Sequence, residues 1–156
     1  MKKILVLIMS HLAVGVFGFM IGVYTLPILI APDSPSVEEL DAVKKQVEFS
    51  GQFTRDLAGS DLLHWGEGTI YVGPKYISLE GSIAPGPDYY LYLSPKFIET
   101  ESEFKQQKSR MVQVGPVKTF KNFIVSVPES VDPNKYTTVV VWCETFNEFI
   151  SAAKYN

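Results

Sequence analysis

The chain has 156 residues and a formal net charge of −3, and Cys143 is its only cysteine. A single cysteine excludes an intramolecular disulfide and every zinc, haem or redox motif that needs a cysteine pair. The acidic balance lacks the clustered Lys and Arg of nucleic-acid-binding proteins, so no nucleic acid partner is expected. The chain after the first thirty or so residues is long enough for one domain with one core.

The first 32 residues form an apolar segment of their own. Residues 4–32 contain no Asp, Glu, Lys or Arg, and the run exceeds the roughly 20 apolar residues that cross a bilayer. Lys2 and Lys3 precede it and acidic residues follow it, which predicts the N-terminus inside and the domain outside, periplasmic or extracellular. A secretory signal has a shorter apolar region of about 7–15 residues, so a single-pass signal anchor that lies in the membrane through residues 4–31 is favoured. A cleaved signal, cut after Gly18, is the alternative.

Gly18 and Gly22 form a GxxxG motif within this apolar run. Small residues at this spacing allow two membrane helices to approach closely, so the motif predicts a homodimer through Gly18 and Gly22. The alternative is that glycine is simply common in membrane helices.

Residues 33–48 are predicted to form a stalk between the membrane segment and the domain. Ser36 and Glu39 have the spacing of a capping box, in which Ser36 is the N-cap. Apolar residues then recur at helical spacing on one face, which predicts an amphipathic helix over residues 37–48.

Short segments rich in Val, Ile, Tyr, Phe and Thr alternate with turns from residue 49 onward. This pattern predicts an all-β domain over residues 49–156, an antiparallel sandwich or barrel. Residues 99–110 mix charges with Ser and Gln, which indicates a mobile solvated loop. Residues 145–155 fit a short strand or a helical turn. The predicted strands are Gly51–Arg55, Gly68–Val72, Tyr76–Leu79, Tyr89–Leu93, Met111–Val114, Phe120–Val127 and Thr137–Cys143.

Two of the predicted strands have an informative alternation. In Tyr89–Leu93, the leucines share a face with Tyr89 and should point into the core, whereas Tyr90 and Tyr92 share the other face. The two tyrosines form either an exposed aromatic strip or a second packing layer. The strand Thr137–Cys143 is apolar on both faces, so it should be central and covered on both sides.

A series of short motifs follows in a fixed order along the β-rich part of the chain. They are Gly51-x-Phe53, His64-Trp-Gly-Glu-Gly68, Leu79-Glu80, Gly86-Pro-Asp-x-x-Leu-x-Leu-Ser94, Val112-x-Val-Gly115, Val131-Asp-x-x-x-Tyr136 and Val139-Val-Val-Trp-Cys-x-x-Phe146. Together these segments resemble the DM-thirteen domain family over about residues 49–155. The resemblance implies an all-β fold, an extracytoplasmic setting and electron transfer, with a redox role for the cysteine that corresponds to Cys143. Such domains often stand beside DOMON domains, and none lies within these residues, so a redox partner is expected to be a separate protein.

The predicted function turns on whether Cys143 is an inert core residue or the centre of a redox function. Free cysteine usually acts as a small buried hydrophobe, and a reactive thiol needs a positive, partly open setting. The following residue is Glu144, so the sequence around the thiol favours a structural role, while the family resemblance supports a redox role. A cysteine-dependent enzyme is disfavoured because no nucleophile turn surrounds the thiol.

The other candidate site residues are neighbours for that thiol. His64 is the only histidine of the domain and is a candidate base or ligand, the alternative being a loop histidine that hydrogen-bonds locally. Trp142, Tyr90 and Tyr92 are candidate cofactor neighbours, although the cofactor itself is unknown. No metal site is predicted, because a zinc site needs three or four ligands. Asp88 is predicted to cap its turn rather than to bind calcium.

The sequence therefore leads to two hypotheses of different classes. The first is a membrane-anchored, extracytoplasmic domain with an electron-transfer or thiol-redox role centred on Cys143. The second is a non-catalytic binding or structural module of the cell envelope, in which the cysteine is structural.

Overall fold

A computed structural model describes residues 2–156, which form two helices followed by a β-sandwich. Helix α1 covers Lys2–Ile30, is long and apolar enough to cross a membrane, and buries none of its residues. Nothing lies within 4 Å of a Cβ built on Gly18 or Gly22, so this face of α1 has room for a second helix. The homodimer through these two glycines stays a prediction.

Helix α2 covers Val37–Lys44 and begins as predicted. The Ser36 side chain accepts from the Glu39 amide at 3.2 Å, and the Ser36 amide donates to the Glu39 carboxylate at 2.8 Å. The helix ends four residues before the predicted limit of residue 48. The reason is that the Glu48 amide donates to the carbonyl of Val72 at 2.9 Å, so the chain is already part of the adjoining sheet edge.

Two four-stranded antiparallel sheets build the sandwich, which confirms the predicted fold class. The first sheet has the order β1-β2-β3-β6 and the second the order β5-β4-β7-β8. The strands are β1 Phe49–Phe53, β2 Gly66–Val72, β3 Tyr76–Ile83, β4 Tyr89–Ser94, β5 Val112–Val117, β6 Lys121–Ser126, β7 Thr138–Cys143 and β8 Glu148–Lys154.

The main core lies between the two sheets. Leu91 and Leu93 of β4 are fully buried there, as the alternation predicted. Strand β7 pairs with β4 on one side and β8 on the other, and all six of its residues are buried. The prediction of a central strand covered on both faces is therefore confirmed. The tail, left open between strand and helical turn, forms the edge strand β8.

A second apolar layer covers the outer face of the β4–β7 sheet. Helix α3, Glu101–Gln107, lies in the segment predicted to be a mobile loop, so that prediction is wrong. Its one apolar residue, Phe104, is completely buried and stacks on Trp142, with ring centroids 3.8 Å apart and an interplanar angle of 5°. Thr100 and Glu103 form a capping box that starts the helix, a spacing that the sequence contained and the interpretation overlooked.

The tyrosines of β4 lie in this second layer rather than in an exposed strip. Tyr92 is 5% exposed, and its ring packs perpendicular to that of Phe104, with ring centroids 5.1 Å apart. Tyr90 is half-buried and packs against the same cluster. The aromatic face of β4 is thus a packing face, and α3 is the element that covers it.

Phe104 should be the main energetic link between α3 and the sheet. We expect Phe104→Ala to lower the free energy of unfolding by about 3–5 kcal/mol, because the side chain is fully buried against two aromatic rings. Urea titration of the detergent-solubilised chain, followed by tryptophan fluorescence, measures the change. Phe97→Ala is the matched control, since Phe97 is 39% exposed and should cost far less. Equal losses in the two variants would contradict this view of α3.

Candidate functional site

The turn before β4 and the turn after β7 are joined at one end of the second sheet. The antiparallel register places Tyr89 opposite Cys143. Beyond that pair, the Glu144 amide donates to the carbonyl of Asp88 at 3.1 Å, and the Thr145 hydroxyl donates to the Asp88 carboxylate at 2.9 Å. Asp88 has a φ of 55°, a left-handed conformation that Asp tolerates. Asp88 therefore links its own turn to the turn after β7. These two hydrogen bonds, from Glu144 and Thr145 to Asp88, are called the clamp below.

Cys143 lies on the core face of β7, next to this clamp. The residue is 2% exposed, and its thiol donates a hydrogen bond to the carbonyl of Pro87 at 3.2 Å. Burial raises the pKa of the Cys143 thiol, and the carboxylates of Asp88 and Glu148 act in the same direction. The amides of Phe146 and Thr145 oppose the shift without cancelling it. The sulfur is therefore a protonated thiol at neutral pH.

The thiol is buried, but it borders a cleft. A cleft of about 510 Å³ lies between this end of the sandwich and helix α1, and Cys143 is part of its wall. On the domain side the wall also contains Tyr89, His64 and Leu63, and α1 supplies the wall opposite. The helix residues that line it are Phe17, Phe19, Met20, Ile21, Val23, Tyr24 and Thr25. The sulfur is thus reached through an apolar space rather than directly from water.

His64 lies in the same cleft as Cys143. Its side chain is 26% exposed, and its Nδ1 lies 2.9 Å from Oδ2 of Asp61. Asp61 also accepts the amides of Leu63 and His64, at 2.7 Å and 2.8 Å, so the carboxylate fixes both the turn and the ring. A carboxylate only accepts hydrogen bonds, which assigns the proton to Nδ1 and leaves Nε2 as the basic ring nitrogen.

Tyr89 is a site residue that the sequence interpretation placed in the core without a role. It is 4% exposed and lines the cleft, and within residues 2–156 its hydroxyl has no hydrogen-bond partner. Burial, and next the neighbouring Cys143, raise the pKa of Tyr89, so the phenol stays protonated. The sequence did indicate a role for Tyr89, because this tyrosine shares a face of its strand with two core leucines. A phenol in that position needs a polar partner or an opening for its hydroxyl.

The remaining candidates lie on the opposite face of the sheet. Trp142 and Tyr92 belong to the layer under α3, and Tyr90 packs against that layer, whereas Cys143 belongs to the main core. The structure therefore places His64 in the lining of the same cleft as the thiol and directs Trp142, Tyr90 and Tyr92 to the opposite face of the sheet. This separation follows from the two-residue period of a strand, since neighbours along β4 or β7 face opposite sides.

A polar network closes the outer layer beside Trp142. The Tyr92 hydroxyl donates to the Glu144 carboxylate and accepts from Gln113 at 3.0 Å. Lys108 pairs with the same carboxylate at 3.0 Å, and its ammonium lies 5.6 Å from the Phe104 ring centroid. Sequence reasoning missed this use of Lys108, because only the fold of α3 brings it within reach of Glu144.

No metal centre accompanies these residues. Within residues 2–156, no group of three or more His, Cys, Asp and Glu side chains is close enough to hold a metal ion. The polar residues that line the cleft are Cys143, His64 and the two tyrosines Tyr24 and Tyr89, together with Thr25 and Glu148. Thiol and phenol groups can donate a proton or a hydrogen bond, and an imidazole or a carboxylate can accept one.

Stability should depend on Glu144 in a pH-dependent way. Burial raises the pKa of Glu144, but hydrogen bonds from Tyr92 and Lys108 outweigh it, so the folded-state pKa lies below its ordinary value. A lowered carboxyl pKa stabilises the fold above the unfolded-state pKa, and this stabilisation is lost as the pH falls through the folded-state pKa. We expect Glu144→Gln to cost about 1–2 kcal/mol at pH 7, and we expect this cost to shrink as the pH is lowered from 7 toward 3 and the carboxylate becomes protonated.

Urea titrations of the full chain across this pH range measure the difference. Glu129→Gln is the matched control, because Glu129 is exposed in a turn and should change stability little at any pH. A cost for Glu144→Gln that stays constant down to pH 3 would contradict the assigned role of the carboxylate.

Comparison with known proteins identifies the family of the domain. No curated protein and no solved structure is significantly similar to the chain. A family profile described as Electron transfer DM13 matches residues 56–155, a range that includes His64, Tyr89 and Cys143. This range covers most of the chain and nearly all of the sandwich, in agreement with the resemblance in its sequence motifs. The chain belongs to the Electron transfer DM13 family.

Proposed function

We propose that the chain is a membrane-anchored electron-transfer module whose redox centre is the Cys143 thiol. The observation that carries the proposal is the position of Cys143: the sole sulfhydryl of a domain from an electron-transfer family forms part of the wall of a cleft. His64 and Tyr89 line the same cleft and supply groups that move protons. The electron partner is a molecule that enters the cleft or a separate protein that docks over it.

The surroundings of the thiol set how it reacts. The thiolate is the reactive form of cysteine, and the raised pKa of Cys143 keeps the thiolate scarce at pH 7. One-electron oxidation of the thiol would therefore give a thiyl radical, with the electron passing to the electron partner and the proton passing to water or to a base in the cleft. In the resting state the proton is held in the hydrogen bond to the Pro87 carbonyl. Reactivity should rise with pH, in contrast to a catalytic thiol of low pKa that reacts fully at pH 7.

Replacing Cys143 tests this centre directly. We expect a redox titration of the full chain in detergent to show a couple that is absent from Cys143→Ser. We also expect a small maleimide to react with native Cys143 slowly at pH 7 and faster at pH 9, since the rate follows the thiolate fraction. The control is Cys143→Ser combined with Ser130→Cys, which places a thiol at an exposed turn and should react rapidly at pH 7. If native Cys143 reacts only after denaturation and no couple is found, the redox centre is refuted.

The thiol's hydrogen bond also favours a second candidate function. A buried cysteine that donates to the Pro87 carbonyl helps to fix the turn before β4, which suits a non-catalytic binding or structural module of the cell envelope. In that case Cys143→Ser would lower stability and leave every other property of the protein unchanged. The titration that tests the redox centre therefore also separates the two functions.

The proposed setting of the domain is outside the membrane that α1 spans. The helix has 29 residues, and at about 1.5 Å per residue it is longer than the ~30 Å hydrocarbon core of a bilayer. Lys2 and Lys3 at its start favour an N-terminus on the cytoplasmic side. The surplus length lets the last turns of α1 leave the bilayer and reach the domain, where Leu26, Pro27 and Ile30 line a second cleft with Tyr90.

Cysteine labelling in whole cells tests this topology. We expect Cys143→Ser combined with Ser130→Cys, expressed in bacteria with a permeabilised outer membrane, to react with a membrane-impermeant maleimide before the cells are lysed. Cys143→Ser alone contains no thiol and is the control for background labelling. Labelling that appears only after lysis would place the domain in the cytoplasm and overturn the proposed topology.

A further inference from the structure

The cleft beside Cys143 has the dimensions and lining of a small-molecule site. Its volume of about 510 Å³ lies within the range of about 300–1,000 Å³ that is usual for ligand pockets. Such pockets combine apolar walls with a few polar groups that orient the ligand. Here Leu63, Pro85 and Phe146 belong to the apolar wall. Tyr89 and His64 supply polar groups, and the polar side chains of Tyr24, Thr25 and Glu148 also belong to the lining.

The Tyr89 hydroxyl is an unused hydrogen-bonding group in this cleft. Only 4% of the Tyr89 surface is exposed. Its hydroxyl has no hydrogen-bond partner within residues 2–156. A Cβ on Gly86 would collide with this hydroxyl, so the glycine leaves room for it beside the cleft wall. Because Tyr89 lines the cleft and its hydroxyl makes no hydrogen bond within residues 2–156, the hydroxyl is free to bond to a ligand oxygen that enters the cleft.

His64 complements Tyr89. Its Nδ1 is engaged by Asp61, which leaves Nε2 as a hydrogen-bond acceptor. The Tyr89 hydroxyl donates, and it accepts as well. The two groups together suit a ring that carries oxygen substituents in carbonyl or hydroxyl form.

The helix α1, which forms the other wall of the cleft, indicates what kind of ligand can enter. Phe17 to Thr25 lie in the second half of the apolar run of α1, toward the end where the helix is proposed to leave the bilayer and meet the domain. Leu62 is 92% exposed, Leu63 51% and Phe146 48%, and Leu63 and Phe146 line the cleft, so its rim on the domain is also apolar. A ligand that fills the space between these walls must itself be largely apolar, and such a molecule partitions into lipid.

We propose that the cleft binds a lipid-soluble ring of the quinone–quinol class, with one ring oxygen hydrogen-bonded to Tyr89 and the other facing His64. This inference rests on the proposed electron-transfer function and names the chemical class of its small-molecule partner. Quinones combine the required properties: an apolar tail, a flat apolar ring, and two oxygens that are acceptors when oxidised and donors when reduced. The thiol of Cys143 lies in the same wall.

Photo-crosslinking in lipid tests the site. The full chain in phosphatidylcholine nanodiscs is photolysed with an azido-substituted ubiquinone analogue, and increasing decylubiquinone is added as competitor. We expect saturable labelling on residues 85–89 and 143–150 that decylubiquinone abolishes and decanol, a mimic of an acyl chain, does not. Labelling that never saturates, or that decanol removes equally well, would show that lipid chains fill the cleft and would overturn the proposal.

Two pairs of variants locate the site. We expect Tyr89→Phe to weaken competition by about five- to tenfold, the effect of losing one hydrogen bond, and Tyr155→Phe to leave it unchanged. Tyr155 is the matched control because it is also a buried tyrosine, with its hydroxyl bonded to the Pro133 carbonyl at 2.7 Å.

The second pair does not depend on a buried position. Leu63→Trp should narrow the cleft from an exposed residue and weaken binding, whereas Leu62→Trp, outside the lining, should not. Binding that is identical in Tyr89→Phe, Leu63→Trp and the native chain would refute the site.

The outcomes also separate this inference from the proposed function. A redox couple of Cys143 without saturable quinone binding would refute the quinone site and leave the redox centre standing, with a protein as its partner. Saturable binding that persists in Cys143→Ser, together with the absence of a couple in the native chain, would support the site and refute the redox centre.

Discussion

The register between β4 and β7 is the constraint from which the site and the second layer both follow. Pairing Tyr89 with Cys143 places the phenol and the thiol side by side on the core face, and it places Tyr90 beside Trp142 on the outer face. A slip by one residue would exchange these faces, because side chains alternate along a strand. Burial on both sides of β7 makes such a slip costly, since all six of its residues are apolar or small enough to pack.

Each face of β7 therefore has its own chemistry. The core face ends at a cleft with a mainly apolar lining, which includes Cys143, Tyr89 and His64. The outer face is closed by α3, whose Phe104 covers Trp142, and by a charged network in which Glu144 accepts from Tyr92. Residues 142–144 thus supply a packing group and a carboxylate to the outer layer and a thiol to the cleft, and the clamp through Asp88 holds the end of the strand in place.

Periodicity was enough to predict the fold class and most strands, but it could not predict which candidates would meet. The strand positions of Leu91, Leu93 and Cys143 follow from alternation and burial, which are local properties of the sequence. The contact of His64 with the cleft depends on a long loop, and the coverage of Trp142 depends on a helix with a single apolar residue. Such a helix lacks the apolar periodicity that usually signals one, so only its capping box at Thr100 could have indicated it.

The burial of Cys143, which in the sequence favoured a structural role, is compatible with a redox role once the position of the cleft is considered. A thiol of raised pKa reacts slowly with oxidants dissolved in water, which would preserve it in the extracytoplasmic setting proposed for the domain. The same burial leaves the sulfur beside a space whose second wall is the apolar helix α1. An apolar redox partner of the proposed kind would meet no such barrier, because a mainly apolar lining favours an apolar ring over a water-soluble oxidant. Under the proposed function, burial would therefore select among partners and would not prevent electron exchange.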